Sequence, residues 1–138
     1  MHRYLLLAIV SVSLALGIGA STAHAEVSIP WATQSSASTG STVAPASVST
    51  LADGSTIVTG EFSGTASFGS IALTSSGSAD IYVAKVDASG AYVWAVRAGG
   101  STSCTNQDSG RGVSVLADGS AIVTGSFCGT ADLAGSHS

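Results

Sequence analysis

Charge is scarce in this chain of 138 residues, in which only 9% of positions are Asp, Glu, Lys or Arg. A protein that grips nucleic acid or an anionic bilayer neutralises phosphates with clustered Lys and Arg. The basic residues that follow position 25 are Lys85, Arg97 and Arg111, each far from the next, so neither partner is expected. Histidine is as rare: His2, His24 and His137 are the full set. The first two fall in a segment read below as removable, which leaves a Ser-His-Asp unit or a histidine metal cluster without members. Hard cations want several oxygen ligands, and no DxDxDG arrangement occurs, so Asp108 in NQDSGRG reads as a turn former. No spacing argues for the paired carboxyls of glycoside hydrolysis. Gly110-Arg111-Gly112-Val113 stops short of a dinucleotide fingerprint and opens a strand instead of a helix. No catalytic, cofactor-binding or metal residue is assigned, and the chain is not expected to be an enzyme.

Helix formers are also few. Ser, Thr, Ala, Gly and Val dominate, with little Leu, Glu, Lys or Gln. Such a mixture suits short strands and tight turns. The long apolar run is confined to the start: MHRY leads into LLLAIVSVSLALGIGA, and Ala23-His24-Ala25 supplies the small-x-small pattern that signal peptidase cuts after. Residues 1–25 are therefore expected to be a signal peptide, cleaved between Ala25 and Glu26, and the protein to be exported, whether extracellular, on the cell surface or periplasmic. An uncleaved anchor is the alternative. After cleavage no membrane association is expected. The remaining eight acidic and three basic residues give a net charge of 3 − 8 = −5.

The most informative feature is a repetition. Leu51 to Ala66 reads LADGSTIVTGEFSGTA and Leu116 to Ala131 reads LADGSAIVTGSFCGTA, identical at thirteen of sixteen positions with an offset of 116 − 51 = 65. Asp53-Gly54 and Asp118-Gly119 each sit between apolar runs, the pattern of a hairpin with a type I′ turn. Between Asp80 and Phe127 the spacing predicts four strands, 80–87, 91–98, 111–117 and 120–127, as one antiparallel meander. Segments 27–33, 45–52 and 55–62 match its second, third and fourth strands, with a short extra strand around 71–74 and a linker character for Gln34 to Ser41. The chain thus divides into residues 26–62 (partial unit), 63–79 (connector), 80–128 (full unit) and 129–138 (start of the next connector). In IYVAKV and YVWAV both alternating sets are apolar or small, so both sheet faces are expected to be covered. Trp31, Trp94, Tyr82 and Tyr92 alternate with Val and Ala and read as packing residues more than as a sugar-stacking rim.

A four-stranded meander that recurs every 65 residues and covers both faces is what a β-propeller blade requires. The succession IVTGEFSGTASFGS, LTSSGSADIYVAKVDASGAYVWA, DSGRGVSVLADGSAIVTGSFCGTA resembles the bacterial secreted seven-bladed β-propeller repeat family, over Trp31 to about Gly135. The resemblance implies an all-β fold of meander sheets as blades, here an incomplete propeller of about two blades, or one and three-quarter repeats. It implies an exported bacterial repeat protein with a non-catalytic binding or structural role, whose partners are unknown, cell-surface protein or polysaccharide among them. The alternative is a piece of an exported carbohydrate-active hydrolase or lyase with its active site in other blades. A truncated propeller, self-association of short chains through uncovered blade faces, and a compact two-sheet sandwich are the architectural options.

Two cysteines are present, Cys104 and Cys128. An even count in an exported protein favours a disulfide. In a meander the link between strands two and three and the exit from strand four share an edge, where these residues fall. The first copy has Ser63 at the position of Cys128 and no cysteine in the matching loop, so the two are present together or absent together.

Overall fold

The computed structural model describes residues 3–6, 11–12, 27–28, 31–100, 108–130 and 132–134. Among these the chain forms β-strands only: β1 (Arg3–Leu6), β2 (Ser11–Val12), β3 (Val27–Ser28), β4 (Thr33–Ala37), β5 (Thr42–Thr50), β6 (Thr56–Ser63), β7 (Thr65–Phe68), β8 (Ile71–Thr74), β9 (Asp80–Val86), β10 (Tyr92–Gly99), β11 (Ser109–Val115), β12 (Ala121–Ser126) and β13 (Asp132–Ala134). They build antiparallel sheets in the orders β1-β4-β7-β8, β13-β10-β9-β6-β5, β11-β12 and β2-β3. The proposed cleavage point, Ala25 to Glu26, lies outside the described residues, whereas β1 and β2 lie within the segment read as a signal.

The hairpins β5–β6, β9–β10 and β11–β12 form where expected, but the meander is cut differently. The four strands between Asp80 and Phe127 are divided between two sheets, because β9 pairs on its other side with β6, from Thr56↔Val86 to Phe62↔Asp80. The continuous meander is therefore β5-β6-β9-β10, with β13 beyond it. The cause is the connector. Residues 64–79 fold into a hairpin, β7–β8, that leaves the sheet and returns the chain beside the strand it left. Similarly, Gln34 to Ser41 is not a linker: Thr33–Ala37 is strand β4, pairing with β7 and burying Ser35 and Ala37. Small side chains that look uncommitted in sequence are the ones that fit where two sheets approach closely.

The turns also differ from expectation. Gly119 has φ of +87° and Gly54 of +82°, while no described non-glycine residue has positive φ. A type I′ turn, which needs it at both central residues, is thereby excluded. In each copy the first leucine closes a three-residue loop: Gly119 N–H donates to Leu116 O at 3.0 Å and Leu116 N–H to Ser120 O at 2.8 Å, with the same bonds at Leu51, Gly54 and Ser55. This is a type I turn followed by a left-handed glycine. Asp118 Oδ1 accepts from Ser120 N–H (2.9 Å) and Oγ–H (2.6 Å), so the aspartate stays right-handed and glycine alone carries the strained conformation. The nearest heavy atom to a Cβ at position 119 is Leu51 Cδ2 at 3.8 Å. Space is therefore not limiting, and Gly119→Val should cost about 1–2 kcal/mol through the backbone alone. An unchanged melting temperature would count against this turn.

Both faces of the central sheet are covered at β6 and β9, as expected for IYVAKV, but not throughout β10: in YVWAV, Val93 is 53% exposed. On one side Val43, Val58, Phe62, Tyr82, Ala84 and Ala95 pack with Ala37, Ala66 and Phe68 from β4 and β7. Phe68 lies 4.8 Å from the Tyr82 ring centroid and edge-on to Tyr92 at 5.5 Å. Phe68, fully buried, contributes roughly 1.5–3 kcal/mol by removal from water. On the other side lies β11: a Cβ on Gly110 would meet Thr59 Oγ1 and Ile81. Val113 N–H donates to Ser47 Oγ (3.2 Å) and Val115 N–H to Ser49 Oγ (3.3 Å). The second-copy hairpin thus lies on the sheet that contains the first-copy hairpin, held at a spacing of 113 − 47 = 115 − 49 = 66 residues.

Candidate functional site

Three places gather the chain's scarce polar chemistry. The first is the pair of LADGS turns. Thr50 to Asp53 and Val115 to Gly119 together line an open cleft of about 440 Å³, since stacking the two hairpins brings their turns side by side. Its two carboxylates are already engaged. Asp53 Oδ1 accepts from Ser55 N–H (2.8 Å) and Oγ–H (2.5 Å), as Asp118 does from Ser120. The serine hydroxyl, foremost, then the backbone N–H, hold both carboxyls below the usual range. Asp87 is lowered in the same way, by the Ser89 hydroxyl first and the Ala91 N–H next. Asp53, Gly54, Asp118 and Gly119 therefore act where the sequence put them, in turns.

These shifts fix a pH dependence. A carboxyl whose pKa is lower in the folded state adds stability that is fully present above its unfolded value, about 3.9, and is lost as pH falls through the folded value. The melting temperature should be level from about pH 7 to 5 and decline below about pH 4. Asp53→Asn with Asp118→Asn should flatten part of that decline. A double variant with the parent's full acid sensitivity would show that the turns do not titrate as a stabilising element.

The second place is the ion pair between Asp80 and Arg97, whose Nη1 and Oδ2 lie 2.6 Å apart with side chains 15% (Arg97) and 0% (Asp80) exposed. Ser76 N–H donates to the same oxygen at 2.9 Å, while Oδ1 is buried without a hydrogen-bond partner. In the sequence both count only toward net charge, and hairpin spacing alone does not bring them together. A plain hairpin about residues 88–90 would set position 97 opposite 81, on the other face from Asp80; the register shift between Tyr92 and Trp94 sets it opposite 82 instead, so Arg97 reaches diagonally to Asp80 on the same face. Gly99 is required beside them, because a Cβ there would sit 2.5 Å from the Asp80 carboxyl carbon.

The third is the exit of β12. Asp108, 5% exposed, accepts Cys128 N–H through Oδ1 at 2.8 Å, and its own N–H donates to Ala79 O at 3.3 Å. It joins β12 to the central sheet instead of forming a local turn. Cys104 lies outside the described residues, and no free thiol occurs among those described. No grouping of three or more His, Cys, Asp or Glu that could hold a metal occurs among the described residues. Of the aromatic residues, Tyr82 is in the core, where burial raises its phenol pKa. Trp31 covers Gly90, whose added Cβ would lie 2.9 Å from Trp31 Cε3. No helix among the described residues is long and apolar enough to cross a membrane. No protein-family model matches the chain, nor does any curated protein or solved structure.

Proposed function

We propose that this chain is an exported, non-catalytic β-propeller repeat protein, or a piece of one, whose stacked sheets serve as a binding or structural scaffold. The observation that carries this reading is the covering of both faces of the central sheet, one of them by the second copy of a hairpin the sheet itself contains. A repeated hairpin stacked face to face on a meander, with small side chains between them, is the kind of contact that adjacent blades would make. Among the described residues, the turn carboxylates Asp53 and Asp118 are occupied by serines, Asp80 by Arg97 and Asp108 by a backbone amide, which suits a scaffold. We further propose a Cys104–Cys128 disulfide. Asp108 anchors the Cys128 amide, and Cys104, four residues upstream, is within reach of that corner given about 3.3–3.6 Å of extended chain per residue. The fold reading and the export reading are tested separately. Amino-terminal sequencing of secreted material should begin at Glu26. The purified chain should bind without degrading any member of a polysaccharide panel; turnover that follows the protein through purification would replace the scaffold by the hydrolase or lyase reading. Alkylation of both cysteines without prior reduction would remove the disulfide.

A further inference from the structure

The two copies of one sequence live in different surroundings. Phe62 is 0% exposed and its counterpart Phe127 is 61% exposed; Ile57 is 1% exposed and Ile122 is 54%. Every residue from Thr56 to Gly60 is buried, whereas Ala121, Ile122, Thr124, Gly125 and Ser126 are exposed and only Val123 is half-buried. Strand β6 lies between β5 and β9, but β12 has β11 on one side and no strand on the other among the described residues. The side chains that fill a core in β6 are thus present in β12 without the strand that covers them.

The direction of the free backbone groups follows from the turn. Leu116 N–H points to Ser120 O, so successive N–H groups of β11 alternate, and those of Val113 and Val115 point away from β12, where Ser47 and Ser49 receive them. By the pairing Val113↔Val123 and Val115↔Ala121, the N–H groups of Ala121 and Val123 also point away from their hairpin partner. In β6 the matching positions are Thr56 and Val58, which face Val86 and Ala84 of β9. The strand itself carries no edge guard: β5 has Pro45 within its strand, whereas SAIVTGSF has neither proline nor charge.

We infer that the free edge of β12 is a docking site for an extended segment with the side-chain pattern of β9, DIYVAKV, presented by another polypeptide and added antiparallel. The chain itself supplies the template, since β9 is what the same sequence selects when it is β6. Adding 65 to the β6 positions gives the register: Ala121 opposite the residue equivalent to Val86, Val123 opposite Ala84, Gly125 opposite Tyr82. Main-chain bonds to β12 provide the attachment, and alternate side chains cover Ile122 on one face and Phe127 on the other. This inference rests on the scaffold reading and deepens it by naming the chemistry of the partner.

The test uses the full chain and a fluorescently labelled peptide, ADIYVAKVD, followed by anisotropy. Saturable binding is expected. N-methylation at the peptide's Ala84 position, whose N–H faces β12 in this register, should weaken it at least about tenfold, and N-methylation at Val83, whose N–H faces away, should not. Val123→Pro removes an outward N–H without touching the bonds to β11 and should give the same loss as the first methylation. No binding, or binding indifferent to the Ala84 methyl group, overturns the docking edge. So does a dimer by light scattering that Val123→Pro dissolves and the peptide does not, because a second copy is then the occupant. Each of these results leaves the scaffold reading standing, which fails instead on polysaccharide turnover.

Discussion

Phe62→Ala should lower the free energy of unfolding by about 3–5 kcal/mol, and Phe127→Ala, the same change at the matching position of the second copy, by no more than about 0.5 kcal/mol. Phe62 is fully buried against Val43, Phe68 and Tyr82. Truncation there removes the transfer free energy of a phenyl ring and leaves a cavity between two sheets that are held apart by their other contacts. Phe127 is 61% exposed, so its removal takes little surface out of a dry environment. Denaturant titration of the two variants beside the parent decides the matter. Equal losses would mean that the second copy is packed like the first, and the contrast on which the docking edge depends would be gone.

Arg97→Met is expected to cost about 3–5 kcal/mol, because it strands a carboxylate that is buried in the sheet. Asp80 already has one oxygen without a partner, and Arg97 with Ser76 supplies what compensation the other receives. Replacing the pair together, Asp80→Asn with Arg97→Met, should be milder than Arg97→Met alone, since no charge is then left behind. The cycle is read by thermal and chemical denaturation. A single-variant cost under about 1 kcal/mol would assign the pair to the weak class of surface ion pairs.

Legibility in the sequence followed range. Hairpins were legible because a strand, a short turn with Gly and a second strand are contiguous: β9–β10 and β11–β12 lie where the alternation of IYVAKV, YVWAV and SAIVTG places them. The covering of both faces of β9 could be read from residues that are apolar or small at odd and even positions alike, whereas the same reading of YVWAV misses the exposure of Val93 in β10. What sequence could not show was which hairpins share a sheet. The pairing of β6 with β9 spans an excursion of sixteen residues, 64–79, and nothing in GTASFGSIALTSSGSA says that the chain returns beside its point of departure. Turn type was hidden for a different reason. Asp-Gly serves both a two-residue and a three-residue loop, and the choice depends on whether Asp takes positive φ; the serine after the glycine, which captures the Asp carboxylate, was the discriminating residue. The ion pair was not legible, since only the register shift between Tyr92 and Trp94 puts Arg97 on the face of Asp80.

The two serines of β5 close a strand edge without adding a strand. Outward N–H groups on one edge of β11 recur every second residue, about 6.6–6.8 Å apart, and hydroxyls at Ser47 and Ser49 recur at the same interval and meet them. An edge satisfied in this way is chemically quiet toward other chains. The hydroxyls are therefore expected to bear on colloidal behaviour more than on folding energy. A chain with alanine at both positions would keep its core and would betray the change in its tendency to precipitate.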